Sequence, residues 1–145
     1  MSLQIIPFRT SNDLLFQQAR QIREVVFVQE QQVEEQDEFD EFEDESIHYL
    51  LMLNDKAIAT ARWRIIGEKT KLERFAMLKE YRNKGYGTLI LNKVVEDSKK
   101  TGNDLYMHAQ LKAIPFYTRV GFEKVGEMFS ECDIDHYKMV MYAGK

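Results

Sequence analysis

Arg82-Asn83-Lys84-Gly85-Tyr86-Gly87 decides how this chain reads. It follows a strand-like run, Lys71 to Leu78, and opens a helix-like run ending near Lys100. A glycine turn at a helix start aims several backbone N–H groups at one spot, and the helix dipole adds partial positive charge there. That combination suits a phosphate group. Gly85 and Gly87 lack the Cβ that would hold a ligand oxygen away. Such a hexapeptide also serves as a plain strand-to-helix connection, so the ligand reading needs support from the rest of the chain.

Working outward, Ile47 to Leu53, Ala57 to Ile66 and Thr70 to Leu78 read as strands. Short turns at Asn54-Asp55-Lys56 and Gly67-Glu68-Lys69 join them into an antiparallel meander. Leu3 to Phe8 reads as an edge or end strand, because Pro7 has no N–H to donate. Thr10 or Ser11 is the expected cap of an amphipathic helix from Asn12 to about Phe27. Beyond the glycine turn, Leu105 to Ala109 is a short strand reached through a helix, hence parallel to its neighbour. Ala113 to Val120 is a short helix with Pro115 in its first turn and Gly121 as its stop. Phe122 to Phe129 and His136 to Tyr142 close the chain as an antiparallel pair. The expectation is one α+β (or α/β) domain over residues 1–145, with helices packed on a mixed sheet of about seven strands.

The 145 residues suffice for one sizeable core. Lone Cys132 excludes an intrachain disulfide and a cysteine metal cluster, which fits a reducing compartment. Met1 to Arg9 lacks a basic-then-apolar leader pattern, and no apolar run could span a bilayer. A cytoplasmic protein without a membrane partner is expected. The net charge of -4 hides a split: Glu30 to Glu45 carries ten of the 24 acidic residues and no Lys or Arg. The basic remainder suits a polyanionic ligand, whereas the acidic strip is either a surface for a cationic substrate or a solvated loop. A nucleic acid partner is disfavoured, because the strip would repel phosphates. The strip lacks EF-hand spacing, so no metal is expected, and no Ser-His-Asp spacing stands out.

The spacing Arg-x-x-Gly-x-Gly after an apolar strand resembles the acetyl-CoA loop of the GNAT superfamily of N-acetyltransferases. Phe116-Tyr117-Thr118-Arg119-Val120-Gly121-Phe122 resembles the F-Y-x-x-x-G-F segment late in those proteins. Arg23-Glu24-Val25-Val26-Phe27-Val28-Gln29-Glu30-Gln31 resembles the first-helix signature of the ElaA/YjcF-like bacterial branch. Glu131-Cys132-Asp133-Ile134-Asp135-His136 is similar to that branch's closing E-x-G-I-x-H, with Asp133 where glycine is usual. The matches keep the family's order and span most of the chain.

The resemblance implies a mostly antiparallel sheet with helices on both faces, in which the strand before the loop and the strand after it splay apart. Pantetheine lies in that gap on unpaired backbone. Carried over by position, the backbones of Phe75, Ala76 and Met77 contact pantetheine and the thioester, one N–H serving as oxyanion donor. Arg82 heads the loop, and Asn83, Lys84, Gly85, Tyr86, Gly87 and Thr88 surround the pyrophosphate. Gln110 stands where many relatives bond the cofactor through Asn. Tyr117 is implied as the proton donor to the leaving thiolate, a role open to a phenol of pKa about 10.

The general base stays open at this level. Regular strand alternation puts Glu73 on the same face as Met77. It either accepts the amine proton or pairs with Arg62, Arg64 or Arg74. His48 and His136 are the other candidates, because histidine is the side-chain type whose unperturbed proton exchange falls near neutral pH. His136, in the closing motif, and Glu30, in the first-helix signature, are placed on the substrate side, and His108 is read as structural. The function expected is acetyl-CoA-dependent acetylation of a primary amine, most simply a small cationic molecule, by direct transfer in a ternary complex. Two alternatives stand beside it: a non-catalytic CoA-binding sensor or interaction module, and an acyl-homoserine-lactone-synthase-like acyltransferase. A homodimer is an open expectation, since many relatives pair through sheet edges or last strands.

Overall fold

The computed structural model describes residues 2–144; Met1 and Lys145, the end positions of the expected domain, lie outside it. Strands β1 (Leu3–Phe8), β2 (Ile47–Leu53), β3 (Lys56–Ile66) and β4 (Lys69–Met77) run antiparallel, each to the next. Strand β5 (Asp104–Gln110) is parallel to β4, and β6 (Glu123–Glu131) and β7 (Ile134–Met141) form the closing hairpin. The sheet order is β1-β2-β3-β4-β5-β7-β6, so β7 inserts between β5 and β6. Pro7 lies on the edge strand, as its missing donor requires. The β2–β3 turn holds Asn54 and Asp55 at φ 50° and 67°, the left-handed pair of a tight hairpin turn.

Helix α1 (Asp13–Arg23) starts one residue after the expected Asn12. Its cap is Asn12, whose side chain accepts from the Leu15 N–H at 3.2 Å. Thr10 instead donates its hydroxyl proton to Asp44. The helix then widens into a π-helical stretch, Glu24–Glu30, a rare conformation that is frequent at functional sites. A short α2 (Glu35–Glu38) lies within the acidic segment. Helices α3 (Tyr86–Ser98) and α4 (Ile114–Val120) follow β4 and β5. No helix among the described residues is long and apolar enough to cross a membrane.

Two apolar clusters sandwich the sheet. Leu91 and Val94 of α3 and Tyr117 of α4 pack on Leu72, Phe75, Met77, Leu105, Met107 and Ala109. On the other face, Ala19, Ile22 and Val26 cover Phe8, Leu50 and Ala76. Each fully buried aliphatic chain contributes on the order of 2 kcal/mol.

Strand β4 breaks its own alternation. Arg62 of β3 pairs with Glu73, yet Thr60 pairs with Ala76, so β4 carries one residue more than its partner. Arg74, at φ 61°, is the left-handed residue of this bulge. Leu72, Phe75 and Met77 therefore share the α3 face, whereas Glu73 and Ala76 face α1. The expectation that Glu73 and Met77 share a face is corrected by this inserted residue.

The bulge sits beside a second irregularity. β4 and β5 pair only where Lys69, Thr70 and Lys71 meet Asp104, Leu105 and Tyr106. Beyond that vertex β4 continues to Met77, and β5 to Gln110 with β7 on its far side. The facing edges diverge into a fork, one arm on each strand.

Candidate active site

The fork's wide end meets the glycine turn. Gly85 caps α3 at φ 88°, and a Cβ there would find open space but a strained backbone. A Cβ on Gly87 would stand in ordinary contact with Phe116 Cζ at 3.4 Å and Met77 Cε at 3.8 Å, which places this residue against the α4 and β4 side chains that wall the fork. The α3 N-terminus carries no side-chain cap, so its N–H groups suit an anionic oxygen. These features fit a diphosphate at Asn83, Lys84, Gly85, Tyr86, Gly87 and Thr88.

Arg82 is spent on the protein itself. Its Nε donates to the Met77 carbonyl at 2.9 Å, and Nη1 and Nη2 grip Glu30 at 3.0 and 2.9 Å. The guanidinium thus ties the end of β4 to the π-helical stretch and positions the turn. Glu30 is thus an ion-pair partner of Arg82 at the protein surface. Gln110 Nε2 donates to Gln31 Oε1 at 2.8 Å and so links the end of β5 to the segment after the π-helix.

Tyr117 forms the α3-side wall. Its ring packs edge-on against Phe75 (6.0 Å) and Phe122 (6.3 Å). The hydroxyl has no hydrogen-bond partner among the described residues. Burial pushes this phenol's pKa up, so it keeps its proton at neutral pH.

The α1 side is electrostatically dense. Arg62, fully buried, reaches Glu73, Asp40 and Glu43 at 2.8–3.1 Å. Arg23, equally buried, holds Glu38 and Glu43 at 2.8–2.9 Å. Arg74 contacts Asp40 at 3.2 Å and Glu38 at 3.3 Å. Three acids of the strip are thus internal counter-ions, while Glu34, Glu35, Asp37, Glu41, Asp44 and Glu45 stay exposed. Neither a free cation-binding surface nor a wholly solvated loop describes the segment.

Glu73 also receives Arg64 Nε at 2.7 Å and Lys71 Nζ at 3.4 Å. Burial alone would raise its carboxyl, but Arg62 foremost, then Lys71 and Arg64, hold it down at about 2. A carboxylate so weakly basic and fully paired makes a poor proton acceptor, and the geometry weighs against the base role considered for it.

The histidines divide sharply. His48 is sealed under Phe8, its Nε2 on the Glu43 carbonyl at 2.9 Å, and burial pushes its pKa down. It lies away from the fork. His136 is the register partner of Gln110 on β7. It is buried against Phe129, with Nδ1 on the Ile134 carbonyl at 2.6 Å. His108, read from sequence as structural, lies on β5 with Nδ1 3.0 Å from Glu131 Oε2. The two are 23 positions apart, a pairing that only the β5–β7–β6 order reveals. The adjoining hairpin turn sets Cys132 and Asp133 at φ 51° and 60°, which explains why glycine is usual at the second of these and how Asp serves instead. No group of three or more His, Cys, Asp or Glu among the described residues is placed to hold a metal ion.

Comparison with known proteins places these features in context. The family model described as "Acetyltransferase (GNAT) domain" matches residues 17–143. YjcF of Bacillus subtilis, described as an uncharacterized N-acetyltransferase, is 35% identical over 133 residues, 89% of this chain and 94% of that protein. The crystal structure of Escherichia coli ElaA superposes with a TM-score of 0.85 at 27% identity, covering 94% of this chain and 98% of ElaA. A GNAT family acetyltransferase from Elizabethkingia anophelis, solved with acetyl-CoA bound, shares the fold at a TM-score of 0.72 and 15% identity, over 97% of each chain.

Proposed function

The chain belongs to the GNAT acetyltransferase family, and we propose that it moves an acetyl group from acetyl-CoA to a primary amine of a small cationic molecule by direct transfer in a ternary complex. The observation that carries this reading is the fork between β4 and β5, with the glycine turn at its wide end and Tyr117 on one wall. Unpaired strand edges are where an extended arm rich in amides gains hydrogen bonds, because those groups otherwise lack strand partners.

In this reading the turn from Asn83 to Thr88 binds the diphosphate through backbone N–H groups, and Arg82 fixes the turn's position. Pantetheine lies along Phe75, Ala76 and Met77, where one backbone N–H stabilises the tetrahedral oxyanion. Gln110 exchanges its Gln31 bond for the arm. Tyr117, a protonated hydroxyl without a partner, donates to the departing thiolate. His136 faces the acceptor. The exposed acids from Glu34 to Glu45 draw a cationic amine toward the α1 side. A cytoplasmic setting with Cys132 reduced, and pairing of two chains through outer strand β1 or β6, belong to the same reading.

The test is calorimetry with acetyl-CoA, followed by thiol release across a panel of primary amines that includes polyamines and aminoglycosides. Binding with amine-dependent release of CoA is expected. Binding without release on every amine would leave a CoA-binding module. No binding at all would overturn the reading.

A further inference from the structure

Glu73 is neutralised and Tyr117 is a donor, so the acceptor amine still needs a group to take its proton. We infer that His108 is that group and that Glu131 is its positioning residue. This inference rests on the acetyl-transfer reading above.

Three observations carry it. The first is place. His108 stands two residues beyond Tyr106, the last β5 residue paired with β4, and is therefore on a diverging arm of the fork. Its β5 neighbours Met107 and Ala109 point into the α3-side core, so His108 faces the opposite side of the sheet. Phe75, which touches Tyr117, lies four residues beyond Lys71, one of them the bulge. His108 and the Tyr117 wall are thus about one residue apart in level, ~3.3 Å along the strands. With its diphosphate at the wide end, a thioester directed toward the vertex would have Tyr117 on one face and His108 on the other.

The second is orientation. The Nδ1–Glu131 contact of 3.0 Å fits the tautomer with its proton on Nδ1, which leaves the Nε2 lone pair available. Nε2 has no hydrogen-bond partner among the described residues. Phe129 meets the ring edge-on at 4.9 Å and limits its tilt. The third is charge. Glu131 accepts from His108, and this bond holds its carboxyl below the usual range. An ionised carboxylate there stabilises the imidazolium that proton uptake creates. The side chains of His108 and Glu131 are 26% and 44% exposed, so an acceptor can reach them. His136 lacks these features: it sits one strand further from the fork, and its Nδ1 contacts a neutral carbonyl.

The step balances. The neutral amine nitrogen forms a bond to the thioester carbon, and His108 Nε2 takes the N–H proton. The C–S bond breaks, and the thiolate takes the Tyr117 hydroxyl proton. Solvent returns the proton from His108 to Tyr117, so the amine's proton is balanced by the one on CoA.

The experiment has two arms. In the first, the full-length chain with ¹⁵N-labelled histidine is titrated with acetyl-CoA and then with CoA, without an acceptor. The His108 ring nitrogens are expected to shift with acetyl-CoA, while His48, sealed elsewhere, stays fixed. An unmoved His108 in a protein that binds acetyl-CoA overturns the inference. In the second, His108→Gln and Glu131→Gln are assayed on the best amine of the panel. We expect kcat to fall at least about 10²-fold for His108→Gln and about 10-fold for Glu131→Gln, with acetyl-CoA Kd within about threefold of wild type. Added imidazole should restore part of the turnover of His108→Ala. Retention of kcat within threefold by His108→Gln sinks the base assignment alone, whereas a wild-type chain that neither binds nor acetylates sinks the acetyltransferase reading with it.

Discussion

Replacing Arg62 by Met tests the electrostatic reading of the α1 side. Arg62 is fully buried and serves Glu73, Asp40 and Glu43 together. Methionine keeps most of its length and none of its charge. Breaking a buried ion pair from one side costs about 3–5 kcal/mol, because the abandoned charge stays in a poor solvent. Here each carboxylate keeps a second cation: Arg64 and Lys71 for Glu73, Arg74 for Asp40, Arg23 for Glu43. The lower end, about 3 kcal/mol at pH 7, is therefore expected. With a urea slope near ~2 kcal/mol/M, the midpoint would drop by about 1.5 M. The sign of the pH dependence is fixed as well. Burial pushes the Glu73 and Asp40 carboxyls up, but Arg62 and neighbouring cations hold each at about 2. Their contribution is present above the ordinary carboxylate pKa, about 4, and is lost as pH falls through about 2. Without Arg62, burial raises both values, and mild acid then relieves the variant by protonation. The deficit between wild type and variant should shrink from pH 7 to pH 4.5. A deficit below 1 kcal/mol at pH 7, or one unchanged at pH 4.5, would refute the assignment of these acids as counter-ions to Arg62.

The site makes further claims. Tyr117→Phe should lower kcat by about 10²-fold and leave acetyl-CoA Kd nearly unchanged in calorimetry, since only the donor proton is lost; equal losses in both would count against the donor role. Gly85→Ala should lower stability by about 1 kcal/mol through its φ of 88° and weaken CoA binding at least tenfold. Thermal melts with and without CoA separate the two effects, and unchanged affinity would move the diphosphate elsewhere. Arg82→Ala should raise the KM for acetyl-CoA more than it lowers kcat, because it frees the Met77 carbonyl and Glu30 without touching the reacting carbon; a pure kcat effect would contradict a positioning role.

Much of this architecture was legible in the chain. Strand and helix order followed from turn residues and apolar periodicity, and the parallel β4–β5 contact followed from the intervening helix. The glycine turn and Phe116-Tyr117 segment were visible because their chemistry is local. Three things were not. Alternation counting assumes a regular strand, and nothing in Glu73-Arg74-Phe75 announces a left-handed arginine. Arg23 and Arg62 resemble surface cations in sequence, and only folding shows that the acidic segment closes over them. His108 and Glu131 meet through strands not adjacent in order, so no spacing rule could join them. The cap moved to Asn12 because Thr10 found Asp44, a tertiary choice that a local rule cannot weigh.

The left-handed Arg74 also makes β4 a counting device. Removing that one residue would restore even pairing with β3 and leave Phe75 and Met77 toward the tyrosine and Ala76 in its shallow seat, because Arg74 is the residue the alternation skips. Its cost would be the lost grip on Glu38 and Asp40. Loss of a regularly paired neighbour would instead invert the strand beyond it, so β4 should tolerate shortening at Arg74 and nowhere else along its length.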